Sequence, residues 1–274
     1  MKIGLVIPEA RPEALVYAKR AAAYLERRGA AALCEGNALP GLRAFSEEDR
    51  PDALLALGGD GTLLRCVRWA VACHAPLLGI NLGSLGFLTE EEPEELEHAM
   101  DALLSGAYEV ERRSLLKATL PDGVSYLALN DAVVSRSGYP RLIRVRTRVD
   151  GEIAGQYRAD GLIVATPTGS TGYSLSAGGP IVSPQVDCMV ITPVCAHSLQ
   201  HRPLLVHGSA EVSLELYGGS GIRASLEIDG RTCAELVSGD EVSVRRAEEN
   251  LELIHLHPPR FFELVHRKLS EWAT

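Results

Sequence analysis

Asp60 stands inside the string Gly58-Gly59-Asp60-Gly61-Thr62, an acid set among glycines. Glycine admits φ > 0 and leaves the backbone bare enough for close approach by a ligand. The string ends an apolar run at 53–57 and precedes a helix-like run at 63–70. A strand that breaks into glycines ahead of a helix presents unpaired amides and a partial positive charge, an arrangement that takes phosphate. A carboxylate placed there would repel phosphate unless it had a proton to accept or a Mg²⁺ water to hold. The chemistry expected is therefore phosphoryl transfer, with amides cradling phosphates and Asp60 serving the attacking hydroxyl. The alternative reading of the same string is a plain turn. Two familiar phosphate loops are excluded. No Gly-Lys-Ser/Thr follows, and Leu64 stands where the dinucleotide fingerprint needs its third glycine.

A second segment is rich in hydroxyls and glycines: Thr166-Pro167-Thr168-Gly169-Ser170-Thr171-Gly172-Tyr173-Ser174-Leu175-Ser176, continuing through Gly178-Gly179-Pro180. It follows the apolar run 162–165 directly. A linker would have a similar composition, but a linker joins domains and this stretch interrupts a strand pattern. Hydroxyls and amides around one aromatic ring suit a sugar and a base. Cys195, His197 and His201 are spaced loosely enough that a metal site there is the weaker reading, and no metal ligands are assigned.

The elements that must hold these groups fall into two patterns. Residues 1 to 107 alternate strands with helices: a strand at 2–8, an amphipathic helix at 12–28 stopped by Gly29, a short strand at 31–34, the central unit, a buried strand at 77–81, and a helix at 94–104 stopped by Gly106. This is the signature of an open, mostly parallel α/β domain, with ligands at the carboxyl ends of its strands. From 108 to 257 helical periodicity is nearly absent. Short β-rich runs are separated by Pro121-Asp122-Gly123, Asp150-Gly151 and Asp229-Gly230, which are hairpin signals. An all-β sandwich is expected there. Residues 261–272 read as a closing helix after the Pro258-Pro259 break. Its single apolar face needs a partner, so residues 258–274 are expected to pack back on the first domain.

Composition narrows the function classes. The chain has 274 residues, 46% of them hydrophobic, and a formal charge of −9. With no dense Lys/Arg cluster, that charge argues against a nucleic-acid surface. No run of 18 apolar residues is present, and the N-terminal apolar stretch is short for a signal peptide, so no membrane partner and a cytoplasmic location are expected. Six cysteines without a C-x-x-C pair fit reduced thiols better than a disulfide framework.

Taken together, the motifs resemble those of the NAD kinase family, which phosphorylates the 2′-hydroxyl of the adenosine ribose of NAD. They are GGDGT at 58–62, NLGSLGFLT at 81–89, LND at 129–131, DGLIVATPTGSTGYSLSAGGPI at 160–181, HSLQHRPLLV at 197–206 and DGR at 229–231. GGDGT alone is shared with diacylglycerol-type lipid kinases and, less closely, with phosphofructokinases; the 160–181 motif separates them. Two other readings stay open: a lipid kinase, which would need an apolar mouth, and a dinucleotide-binding protein without catalysis.

The resemblance implies roles position by position. Asp60 resembles the catalytic base, and Gly61 offers backbone to phosphate. Asn130 and Asp131 match the Asn-Glu pair at the NAD ribose and adenine, with Asp131 one methylene shorter than the usual Glu. Asp160 resembles the residue that grips the nicotinamide amide, with Arg158 and Arg141 as basic groups near it or near phosphate. Thr171, Gly172, Tyr173, Ser174, Leu175 and Ser176 match the loop lining the dinucleotide, with Gly172 where Ala is usual. Cys195 falls on a small lining position. Arg231, where Gln is common, and Arg65, one turn past the glycine loop, are the weaker assignments. Alternation places Arg144, Arg146 and Arg148 on one strand face, read as solvated. ATP or polyphosphate is the implied phosphoryl donor, with Mg²⁺ carried on phosphate oxygens and water. A homodimer or homotetramer is the implied assembly.

Overall fold

Helical and extended periods sort this chain into the elements that follow, in a computed structural model. It describes residues 1–8, 11–36, 38–83, 86–89, 91–138, 141–198, 200–219, 221–258 and 260–272, without the side chains of 271 and 272. Ser84 and Leu85 of the 81–89 motif lie outside the described residues. The chain divides into two units, Met1–Arg112 with Leu251–Thr274, and Arg113–Asn250.

In the first unit, β1 (Lys2–Val6) leads into α1 (Pro12–Arg27), then β2 (Ala31–Cys34), β3 (Ala53–Leu57), α2 (Asp60–Cys73), β4 (Leu77–Ile80) and α3 (Leu96–Ser105). The strands run parallel in the order β2-β1-β3-β4. Every residue of β3 is buried, as expected of a strand covered on both faces. α1 starts with Pro12, whose missing N–H costs nothing there. It lays Ala14, Ala18, Ala21 and Leu25 on the sheet, one face at helical spacing. α3 ends on Gly106 at φ 73, a left-handed cap that glycine takes without strain.

The second unit is built from strands. In chain order these are β5 (Glu109–Thr119), β6 (Ser125–Ala128), β7 (Asp131–Arg136), β8 (Ile143–Val149), β9 (Glu152–Ala159) and β10 (Gly161–Ala165). A single helical turn, α4 (Tyr173–Ser176), precedes β11 (Cys188–Val194), β12 (Leu204–His207), β13 (Val212–Leu216), β14 (Arg223–Ile228), β15 (Arg231–Val237) and β16 (Glu241–His255). β5 begins, and β16 ends, in the first unit; there Leu253 pairs with Leu77 of β4. Residues 108–112 and 251–257 thus group with the α/β part.

One antiparallel sheet of the second unit pairs β9, β8, β13 and β16, and the other has the order β12-β11-β10-β7-β14-β15. Val145, Tyr157, Leu214 and Val244 from the first meet Val134, Leu162, Val164 and Ile191 from the second in one core. This is the expected sandwich. The 150–151 and 229–230 hairpins have positive φ at both turn residues (49 and 84, 47 and 76), the type I′ geometry that matches strand twist. Arg146 and Arg148 are more engaged than a solvated face implies: both pair with Glu215, and Arg148 also with Glu241.

β10 is buried on both faces. Leu162 and Val164 face the sandwich core, while Ile163 and Ala165 pack with Val133, Val190 and Val182 on the other side. The polar segment after β10 covers that second face. It is more regular than a loop, with a 3-10 turn at Thr168–Thr171 followed by α4. Buried Ser170 sets its path by donating to the Pro167 carbonyl (2.6 Å) and accepting from the Val182 amide (2.9 Å).

After β16 comes α5 (Phe261–Trp272), which belongs to the first unit. It buries Leu264 and Lys268, whose Nζ lies 5.9 Å from the centre of the Phe87 ring, within cation–π range. No described helix is long and apolar enough to cross a membrane.

Candidate functional site

The glycine string turns as its residue types predict. Gly59 caps α2 in extended conformation and Asp60 is the first helical residue. The Thr62 and Leu63 amides both bond to the Gly59 carbonyl, whereas those of Asp60 and Gly61 make no hydrogen bond among the described residues. These two open amides at a helix start are where an anion would be met.

The half-buried Asp60 carboxylate turns onto the segment Gly86–Thr89. Oδ1 accepts from the Leu88 amide (3.1 Å), the Thr89 amide (3.2 Å) and the Thr89 hydroxyl (3.1 Å). Among the described residues Oδ2 accepts only from the Phe87 amide (2.8 Å). A carboxylate oxygen has two lone pairs, so Oδ2 keeps room for one more donor. A Cβ on Gly86 would lie 2.0 Å from Oδ1, so a side chain there would displace the Asp60 carboxylate. Arg65 is held elsewhere: its guanidinium pairs with Glu35 at 2.5 Å and reaches the Ile7 carbonyl. Glu35 also accepts from Arg68 and Trp69, and these donors hold its pKa below the ordinary value despite burial.

In the second unit the expected dinucleotide residues gather around Tyr173, which is 45% exposed. Burial raises its phenol pKa, and the charges of Glu227, Cys195, Asp160 and Asp131 add to that, so these groups share one neighbourhood. A Cβ on Gly172 would lie 3.4 Å from the Asn130 amide nitrogen. Cys195 is exposed at φ 47 and Asp160 pairs with Arg136 at 3.2 Å. Thr171 and Leu175 are half-buried and Ser176 is exposed. Ser174 differs from the expectation of a lining hydroxyl. It has no exposure, and its hydroxyl bonds Thr192 Oγ1 at 2.8 Å, because the first turn of α4 presses it onto β11. Arg158 lies on the outer face of β9, Arg141 precedes β8 and Arg231 opens β15; all three are exposed.

Asp131 is 4% exposed. Burial, reinforced by Asp229 and Glu227, pushes its pKa up to about 7. Asp229 is half-buried; the partial burial raises its pKa while the amides of Leu129, Asn130 and Asp131 pull it back. His201, one of the loosely spaced metal candidates, has its ring on Tyr157 at 4.7 Å. Among the described residues no group of three His, Cys, Asp or Glu could hold a metal. All six cysteines are free thiols, three of them buried.

Two family models match this chain, the ATP-NAD kinase N-terminal domain over residues 3–108 and the C-terminal domain over 129–256. The chain belongs to the NAD kinase family. Among curated members, NAD kinase of Moorella thermoacetica is 42% identical across all of this chain and 90% of its own length. That of Geobacter metallireducens is 44% identical, over 82% of this chain and 81% of its own. Two solved members share the fold. Yeast NADH kinase complexed with NADH has a TM-score of 0.89 at 27% identity, over 98% of this chain and 87% of that one. An NAD kinase from Archaeoglobus fulgidus in complex with ATP has a TM-score of 0.79 at 28% identity, over 98% and 99%.

Family motifs led to the side chains expected at ligands but missed those that hold the motifs in place. Asp229 was read as a hairpin residue within the 229–231 motif and Thr166 as part of the 160–181 motif, neither with a role of its own. Thr166 Oγ1 donates to the Leu129 carbonyl and its amide to the Asn130 carbonyl. An Asp-Gly turn beside a second motif was the available signal for Asp229. Nothing in the spacing of Thr166 marked its role.

Proposed function

We propose that this chain transfers the γ-phosphoryl group of ATP to the 2′-hydroxyl of the adenosine ribose of NAD, giving NADP and ADP. The observation that carries this is the match of both NAD kinase domain models, in order, over nearly the whole chain. The matched models and relatives carry NAD in their descriptions, and none of them favours the lipid reading.

Asp60 is the general base. Its fixed carboxylate accepts the ribose hydroxyl proton at Oδ2, the oxygen with spare capacity, as that hydroxyl oxygen bonds to the γ-phosphorus. The bond from the γ-phosphorus to the bridging oxygen breaks and ADP leaves with the electron pair. The open amides of Asp60 and Gly61 receive phosphate oxygens. Asn130, Asp131, Asp160, Tyr173 and Cys195 hold the dinucleotide, and the Ser174 hydroxyl acts only by shaping α4. Mg²⁺ suits this donor set as a cation carried on phosphate oxygens, since no three-ligand protein cage exists among the described residues. When bound it offsets the phosphate charge. The chain works as a homodimer or homotetramer in the cytoplasm.

Incubation with NAD, ATP and Mg²⁺ tests the reaction by the appearance of NADP; absence of product above a blank refutes it. Light scattering of the active protein tests the assembly, and a monomer mass overturns that part.

A further inference from the structure

Asp229 is assigned no ligand in the preceding section, yet it holds the backbone of two residues that are. Its Oδ2 accepts from the Leu129 amide at 2.9 Å, and its Oδ1 from the Asn130 and Asp131 amides at 2.8 and 3.1 Å. Its own amide donates to the Asp131 carbonyl at 3.1 Å. Three consecutive amides aimed at one carboxylate do not occur in a regular strand, where successive N–H groups alternate in direction. The segment is bent to make this contact just before β7 begins. Its other side is held as well: Thr166 takes the carbonyls of Leu129 and Asn130. The backbone groups of 129–131 are therefore accounted for by the Asp229 turn and by Thr166, which leaves the Asn130 side chain free to address a ligand.

We propose that Asp229 is a positioning residue for dinucleotide binding, aiming Asn130 and Asp131 by gathering the amides of 129–131 on its carboxylate. This rests on the NAD kinase reading and deepens it, since it names a residue in the β14–β15 hairpin on which affinity for the nucleotide depends. A hairpin residue with a purely conformational task would need only to tolerate φ 47, which asparagine does as well as aspartate. Asparagine is thus the informative substitution. Asp229→Asn keeps the turn but replaces one acceptor oxygen with an NH₂ that faces a backbone N–H.

The charged groups facing Asp131 are Asp229 and Glu227, with the Tyr173 phenol close by. Removing the Asp229 charge eases ionisation of Asp131, so the mutation also shifts a titration.

Steady-state kinetics of the full chain test the proposal. In Asp229→Asn the KM for NAD should rise at least about tenfold, with kcat within about threefold and the KM for ATP within about twofold. Asp131, whose pKa burial and its acidic neighbours raise to about 7, should ionise at lower pH in the variant, and a midpoint in the pH dependence of NAD KM should move down with it. A wild-type NAD KM, a fall in kcat alone, or an unmoved midpoint overturns the proposal. Should Asp229→Asn fail to fold, amide hydrogen exchange on the unmodified chain decides. Protection of the 129–131 amides comparable to the β7 core supports the anchoring, and rapid exchange overturns it. That measurement does not depend on turnover, so an inactive wild-type protein would sink the kinase reading while the anchoring of 129–131 is still decided.

Discussion

Asp60 and Asp229 show how two acids with one bonding habit differ in what they leave available. Asp229 and Asp60 are both half-buried, but Asp229 satisfies both oxygens on three backbone amides, whereas among the described residues Asp60 Oδ2 accepts a single amide. Asp60→Asn should lower kcat by about 10²–10⁴ with NAD affinity within a few-fold. It also puts an NH₂ against an N–H of the 87–89 segment, so denaturant unfolding should show a loss of ~1–3 kcal/mol. Asp131 carries a pH signature of its own. Its pKa is raised on folding, so the native chain holds more protons than the unfolded chain between the ordinary carboxylate value and about 7. Stability contributed at this site therefore falls as pH rises through that window, and the cost is complete above it. Asp131→Asn, which removes the charge, should flatten that slope. It should unfold at higher denaturant than wild type at pH 8, by on the order of 1–3 kcal/mol, with little difference at pH 4.

Among the elements, the segment after β10 has the least regular sequence and a well-determined path. It lies over the second buried face of β10, where Val182 joins Ile163, Ala165 and Val190. Gly169 is the tightest point. A Cβ there would lie 2.0 Å from the Asn130 carbonyl oxygen and 2.6 Å from its Cα, both of them backbone atoms that cannot yield alone. Gly169→Ala should cost ~2–3 kcal/mol in thermal or denaturant unfolding and should raise the KM for NAD, because the clash displaces the Asn130 segment itself. A normal melting temperature with normal NAD KM would show that the two segments are not coupled as described.

The whole chain carries a formal charge of −9, although its substrates are anions. At ~10 mM salt the screening length is about 30 Å and the net field is felt throughout; near 0.15 M it is about 8 Å and only local donors count. The local donors at the glycine loop are neutral amides, and Arg65 is already paired with Glu35. Raising ionic strength from ~10 to ~150 mM should thus increase kcat/KM for ATP, by about twofold or more, whereas a site built on free arginines would lose affinity. Initial-rate measurements across that range at fixed free Mg²⁺ check the sign.

Periodicity and punctuation were enough to reveal both kinds of layer. Continuous apolar runs such as 53–57 and 162–165 mark strands buried on both faces, and Asp-Gly pairs mark I′ hairpins because few other residues tolerate two positive φ angles in succession. GGDGT likewise disclosed a helix start with open amides, since its chemistry is local. What stayed hidden depends on groups far apart in the chain: the grip of 87–89 on Asp60, of Asp229 on 129–131, and of Glu35 on Arg65. Ser174 shows the limit from the other side, for a hydroxyl within a segment expected to line the dinucleotide bonds Thr192 of β11. A residue's type declares which bonds it can make, but only the folded chain settles which partner arrives to make them.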